Sequence, residues 1–102
     1  AALRIVPDDV GTLNELGCAL LREGKVKEAI KSLSKALMID PQDAESHHNL
    51  AVALYQDGEL EKAAKHFSEA LRISPDNANV RHNLKMVSRL LKKAQKASDE
   101  AS

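Results

Sequence analysis

Few residues in this chain are of a type that does chemistry. Four histidines, His47, His48, His66 and His82, and one cysteine, Cys18, are the only obvious metal ligands or nucleophiles in 102 residues. His47 and His48 are adjacent, which on a helix sets them about 100° apart, and neither is followed four residues later by a histidine or carboxylate. They cannot both face one ion. His48 and His82 lie 34 residues apart, and on packed neighbouring helices their backbones would stand about 10 Å from each other, too far for joint ligation. His48 and His82 therefore read as solvated side chains and not as a metal centre. Cys18 provides no disulfide framework and no cysteine-based zinc site, and with no positioned base beside it, it reads as a small apolar filler. There is no glycine-rich phosphate loop. The expectation is a non-enzyme with no catalytic residue, no cofactor and no metal.

The length fits one domain with a single core. With 43% hydrophobic and 29% charged residues the chain has an ordinary globular balance, and no apolar run approaches the roughly 20 residues of a membrane span. The start carries no signal or transit pattern, so a cytoplasmic location is favoured. Tyr55 and Phe67 are the only aromatic residues apart from the histidines, too few to stack single-stranded nucleic acid. The formal charge sums to zero, 15 Lys plus Arg against 15 Asp plus Glu, but it is unevenly spread. Residues 78–98 hold six basic residues and no acidic one. On a helix, Val80, Leu84, Val87 and Leu91 share one face while Arg81, Lys85, Arg89, Lys92, Lys93 and Lys96 fall opposite. This segment is either a solubilising cap, its cations suited to the helix dipole, or an electropositive patch for an acidic protein segment or anionic lipid. Nucleic acid is disfavoured by the acidic remainder of the chain, and a membrane has this helix as its only candidate surface.

The elements that position these residues follow from a repeat. Pro7, Pro41 and Pro75 are spaced by 34 residues, and Ala36-Leu37-Met38-Ile39-Asp40-Pro41 matches Ala70-Leu71-Arg72-Ile73-Ser74-Pro75 and Ala2-Leu3-Arg4-Ile5-Val6-Pro7. Upstream, Leu16, Gly17, Leu20, Gly24, Ala29, Leu33 and Ala36 recur as Leu50, Ala51, Leu54, Gly58, Ala63, Phe67 and Ala70. Small and apolar residues keep their places while the others change, which marks a structural period. Each period reads as two helices. The predicted helices are 10–23 and 26–39, then 44–57 and 60–73, then a last one over 78–97. Asp9, Asp43 and Asp76 or Asn77 are the N-caps, Gly24 and Gly58 the left-handed turns, and the prolines the stops. Gly17, Ala51, Ala29 and Ala63 are small where paired helices must approach.

This pattern resembles the tetratricopeptide repeat. A large residue, Leu-Gly, a large residue, Ala, a bulky residue, Ala and Pro are met by Leu13, Leu16-Gly17, Leu20, Ala29, Leu33, Ala36 and Pro41, and again by His47, Leu50-Ala51, Leu54, Ala63, Phe67, Ala70 and Pro75. The departures are Leu13 and His47, where Trp is common, and Ala51 for Gly. The resemblance implies an all-α, right-handed helical-repeat solenoid of antiparallel helix pairs. It divides the chain into the remnant of a preceding helix (1–7), repeats 8–41 and 42–75, a capping helix 76–98 and a tail 99–102. Stacked repeats want roughly three copies for stability, so the surface around Leu13, Leu16 and Leu20 is expected to be less covered than its counterpart in the second repeat and to invite dimerisation.

The resemblance also implies a concave groove lined by the first helix of each pair, where family members commonly bind extended or helical protein segments. Carried onto this chain, its columns are Gly11, Glu45 and Asn79; Asn14, His48 and His82; Cys18, Val52 and Met86; Leu21, Tyr55 and Arg89, with Asn49 and Asn83 beside them to bond ligand backbone. One subtype clamps a C-terminal carboxylate with two lysines, an arginine and two asparagines. Only Asn49 matches it, since Asn14, Asn79 and Asn83 stand where basic members belong and Cys18 replaces the other Asn. The expected ligand has apolar anchors and a basic group for Glu45. The implied function is a non-catalytic protein-interaction module at the end of a longer array. A homo-oligomerisation module and the regulatory tail of an enzyme such as a glycosyltransferase are the alternatives.

Overall fold

Asp9, Asp43 and Asn77, spaced by 34 residues, each start a helix. In the computed structural model, which describes residues 9–101, Asp9 Oδ2 accepts from the Thr12 amide at 2.9 Å, Asp43 Oδ2 from the Ser46 amide at 3.0 Å and Asn77 Oδ1 from the Val80 amide at 3.2 Å. Each thereby satisfies one of the amides a helix leaves unpaired at its start. The elements are α1 (Val10–Arg22), α2 (Val26–Ile39), α3 (Ala44–Gln56), α4 (Leu60–Ile73) and α5 (Ala78–Ala101). The first helix of each pair stops one residue short of the expected end, and α5 runs four residues further, since nothing after residue 97 breaks a helix. The expected remnant at residues 1–7 lies outside the described residues.

Gly24 and Gly58 turn the chain from the first helix of each pair into the second. Their φ angles are +78° and +83°, a region that glycine enters without a Cβ penalty. In the first turn Lys25 N–H donates to Leu20 O at 2.8 Å and Gly24 N–H to Leu21 O at 3.0 Å; Glu59 to Leu54 and Gly58 to Tyr55 repeat this at 2.9 and 3.1 Å. These paired bonds satisfy the final carbonyls and reverse the chain over few residues, so the next helix must run back along the first.

Packing runs in sequence order: α1 on α2, α2 on α3, α3 on α4, α4 on α5, with α1 also touching α3. The result is an all-α helical-repeat solenoid, drawn out to 62 × 28 × 20 Å. Its core is a seam of Ala29, Leu33, Leu50, Ala51, Ala53, Leu54, Ala63, Phe67, Ala70, Val80 and Val87. Small residues let the backbones approach. A Cβ on Gly17 would stand 2.6 Å from Leu33 Cγ, so α1 and α2 cross at a distance only glycine permits there.

The expected thin cover over α1 holds in part. Leu16 is 42% exposed where Leu50 is 4% exposed, and Leu20 is half-buried where Leu54 is buried. Leu13 corrects the expectation. It is buried, and Ser32 Oγ donates to its carbonyl at 2.9 Å, which ties α2 to that turn of α1.

A strip along the first helices as candidate binding site

The columns predicted for a groove stand side by side on α1, α3 and α5. Two hollows lie along them. One, of about 320 Å³, is lined by Cys18, Leu21 and Arg22 of α1 and Asn49, Val52 and Gln56 of α3. The other, of about 210 Å³, is lined by Val52, Tyr55 and Gln56 of α3, Phe67 of α4, and Asn83 and Met86 of α5. Val52 and Gln56 border both, so the hollows form one strip across three helices. Seven of the fourteen residues assigned to the groove line it: Cys18, Leu21, Asn49, Val52, Tyr55, Asn83 and Met86. Sequence reasoning missed Arg22, Gln56 and Phe67. The first two had a signal, because they lie four residues, about one helical turn, beyond Cys18 and Val52. Phe67 had none, since it reaches the floor of the second hollow from α4.

The remaining predicted residues are placed differently. Asn14 is corrected from a groove position to an internal one, being 3% exposed. Its Nδ2 donates to Ser46 Oγ at 2.8 Å, to Val10 O at 3.1 Å and to Asp43 Oδ2 at 3.3 Å, and its Oδ1 accepts from Asn49 Nδ2 at 3.0 Å. Every polar atom of this amide is used to join α1 to the start of α3. Thus Asp43 both caps α3 and receives a bond from the preceding helix pair. Asn83 Nδ2 meets His48 Nε2 at 3.4 Å, the same 35-residue step repeated between α5 and α3. Asn49 and Asn83 therefore point an N–H into the preceding helix while lining the strip.

His48 is half-buried, its ring 5.9 Å from that of Phe67. Burial pushes its pKa below the ordinary histidine value, and the carboxylate of Glu45 works against this to a lesser degree. Glu45, Asn79, His82 and Arg89 are exposed and line neither hollow. The charge bordering the strip is Arg22, not Glu45, which removes the argument for a basic group on the ligand. No group of three His, Cys, Asp or Glu among the described residues could hold a metal ion.

Comparison with known proteins adds the family. The tetratricopeptide-repeat family model matches residues 20–85, more than half of the chain. The chain belongs to the tetratricopeptide-repeat family. No curated protein matches it in sequence. Among solved structures, the first tetratricopeptide domain of Spaghetti (RPAP3), bound to the HSP90 peptide SRMEEVD, superimposes with a TM-score of 0.81 at 20% identity, covering 84% of this chain and 68% of that one, a likeness of fold alone. MamA superimposes with a TM-score of 0.82 at 27% identity, covering 93% of this chain and 56% of that one. PilF of Pseudomonas aeruginosa gives a TM-score of 0.75 at 31% identity, covering 86% of this chain and 40% of that one. This tetratricopeptide chain thus spans between two fifths and about two thirds of the length of these relatives.

Proposed function

We propose that this tetratricopeptide chain is a non-catalytic protein-interaction module that holds a peptide segment along the strip formed by α1, α3 and α5. One observation carries the reading: two adjoining open hollows, walled by Cys18, Leu21, Val52, Tyr55 and Met86, form one apolar surface that the described residues leave open. The ligand would seat one apolar side chain in each hollow. The amides of Asn49 and Gln56 line the first hollow and those of Gln56 and Asn83 the second, where ligand backbone must find partners to replace water. A solved structure of the same fold is bound to an HSP90 peptide, which supports a peptide as the class of ligand. A carboxylate clamp is not proposed here, because Asn14 is buried and committed internally and no lysine lines either hollow.

The test is a pull-down with the whole chain beside the double variant Tyr55→Ala, Met86→Ala. Loss of bound partners with unchanged helicity supports the strip; undiminished capture refutes it. A second reading rests on α5, where all six basic side chains are exposed on one side. Docking of that face on an anionic surface would collapse between low and high salt, whereas binding in the apolar strip would persist.

A further inference from the structure

Away from the strip, two of the four histidines meet between α3 and α4. His47 Nδ1 lies 3.0 Å from His66 Nδ1, and His47 Nε2 lies 2.9 Å from the carbonyl oxygen of Pro41. A carbonyl can only accept, so His47 Nε2 carries its hydrogen. Nδ1 of neutral His47 is then a bare acceptor, and the donor facing it must be His66 Nδ1–H. The ring centroids are 5.3 Å apart with planes at 27°. The centroids exceed the nitrogens in separation by about one ring diameter, so the nitrogens meet head-on and the faces do not stack. That geometry suits an N–H···N bond. It does not suit an ion, which at about 2.0–2.1 Å from each imidazole nitrogen would need both lone pairs to converge beside the line joining them.

We propose that His47 and His66 form a one-proton lock between α3 and α4, a pH-sensitive contact that stays closed while the pair carries at most one added proton and opens when a second is forced on. In the neutral pair His66 donates to His47 and His47 donates to Pro41. A first proton goes to His66 Nε2 and leaves both bonds intact. A second has only His47 Nδ1 to occupy, where it confronts His66 Nδ1–H at 3.0 Å and a like charge. One ring must then leave. In the unfolded chain the two histidines protonate independently, near about pH 6.5. The folded chain therefore takes up fewer protons, and its stability falls as pH drops through the region below about 6.5.

The surroundings act in the same direction. Burial holds His66 below the ordinary histidine range, like charge on His47 when that ring is protonated and on Lys65 adds to this, and Glu69 opposes them. Glu69 is itself bonded by Arg72 Nε at 2.9 Å, and Arg72 Nη2 donates to Gln42 Oε1 at 3.0 Å. The charges acting on His66 thus come from α3 (His47) and from α4 (Lys65 and Glu69, with Arg72 behind it), while the α2–α3 turn contributes the uncharged Pro41 carbonyl and Gln42 amide. His48, the next residue on α3, is turned toward Phe67 and Asn83 and takes no part. Because α3 also carries Asn49, Val52 and Tyr55, its release from α4 would deform the strip; this consequence rests on the proposed binding surface, whereas the lock itself does not.

The experiment is urea unfolding of the whole chain at about pH 7.5, 6.5 and 5.5, beside His66→Gln and His48→Gln. The unfolding constant should rise about tenfold per pH unit for each proton the fold excludes. His66→Gln should remove the pair's share of that rise, because a glutamine amide can turn either its N–H or its oxygen toward His47 and so accommodate the protonated ring. His48→Gln should keep that share. Imidazole nitrogen shifts of the unaltered chain give a second measurement, needed if His66→Gln does not fold: one ring of the pair should protonate while the other stays neutral until unfolding begins. A pH dependence unchanged by His66→Gln, or two rings taking up protons independently of each other, overturns the lock.

Discussion

At the scale of single residues, the most consequential amide is one that touches no ligand. Asn14 is buried and bonded to α3 through Ser46, Asp43 and Asn49. Asn14→Ala strands those partners and should cost about 1–3 kcal/mol, read as a lowered urea midpoint. Asn83→Ala, which gives up only the 3.4 Å contact with His48, should cost markedly less. Gly17 makes the opposite kind of contribution, through an atom it lacks. Gly17→Ala improves helix propensity by about 1 kcal/mol but drives a methyl group into Leu33, a clash in the overpacking range of about 1–3 kcal/mol. The net expectation is a modest loss of stability by thermal melting.

At the scale of elements, α5 has two unlike halves. Val80 and Val87 are buried against α4, while every residue from 92 to 100 is exposed. A helix end that buries almost no apolar surface has little beyond local hydrogen bonds to hold it. Amide hydrogens beyond Leu91 should therefore exchange much faster than those of α3 and α4, as hydrogen-exchange mass spectrometry can measure. The turn at Gly58 is a sharper case. Gly58→Ala places a Cβ at φ +83° with open space around it, so the penalty is purely backbone, about 1–2 kcal/mol. Urea unfolding should show that loss, with the helical spectrum of the folded state unchanged.

At the scale of the whole molecule, proton uptake links stability to pH. Burial lowers the pKa of both His48 and His66. A histidine whose folded value is depressed stabilises the fold fully above its unfolded value near about 6.5, and that contribution is lost as pH falls through the folded value. Thermal midpoints should therefore drop from about pH 7.5 to 5.5. The zero net charge is likewise a whole-molecule sum: the terminal helix is basic and the remainder acidic. The exposed positions of Arg81, Lys85, Arg89, Lys92, Lys93 and Lys96 make that separation a property of one end of the solenoid.

The helices were legible in the sequence because their determinants are local: an Asp or Asn cap, a glycine that must take positive φ, a proline that cannot continue a helix, and an apolar stripe at helical spacing. The strip was half legible, because residues 34 apart on equivalent helices share a face; Cys18 with Val52 and Met86, and Leu21 with Tyr55, follow from that period alone. Tertiary structure decided the rest. Asn14 turned inward because its partners sit 29 to 35 residues away, and Phe67 entered the second hollow from a helix of the other set. His47 met His66 because of how α3 and α4 are rotated against each other. A repeat fixes which residues are equivalent and which face each helix shows, but whether two polar side chains on different helices meet depends on interhelical rotation and rise. Those are set by how the small and large side chains of the whole seam pack together.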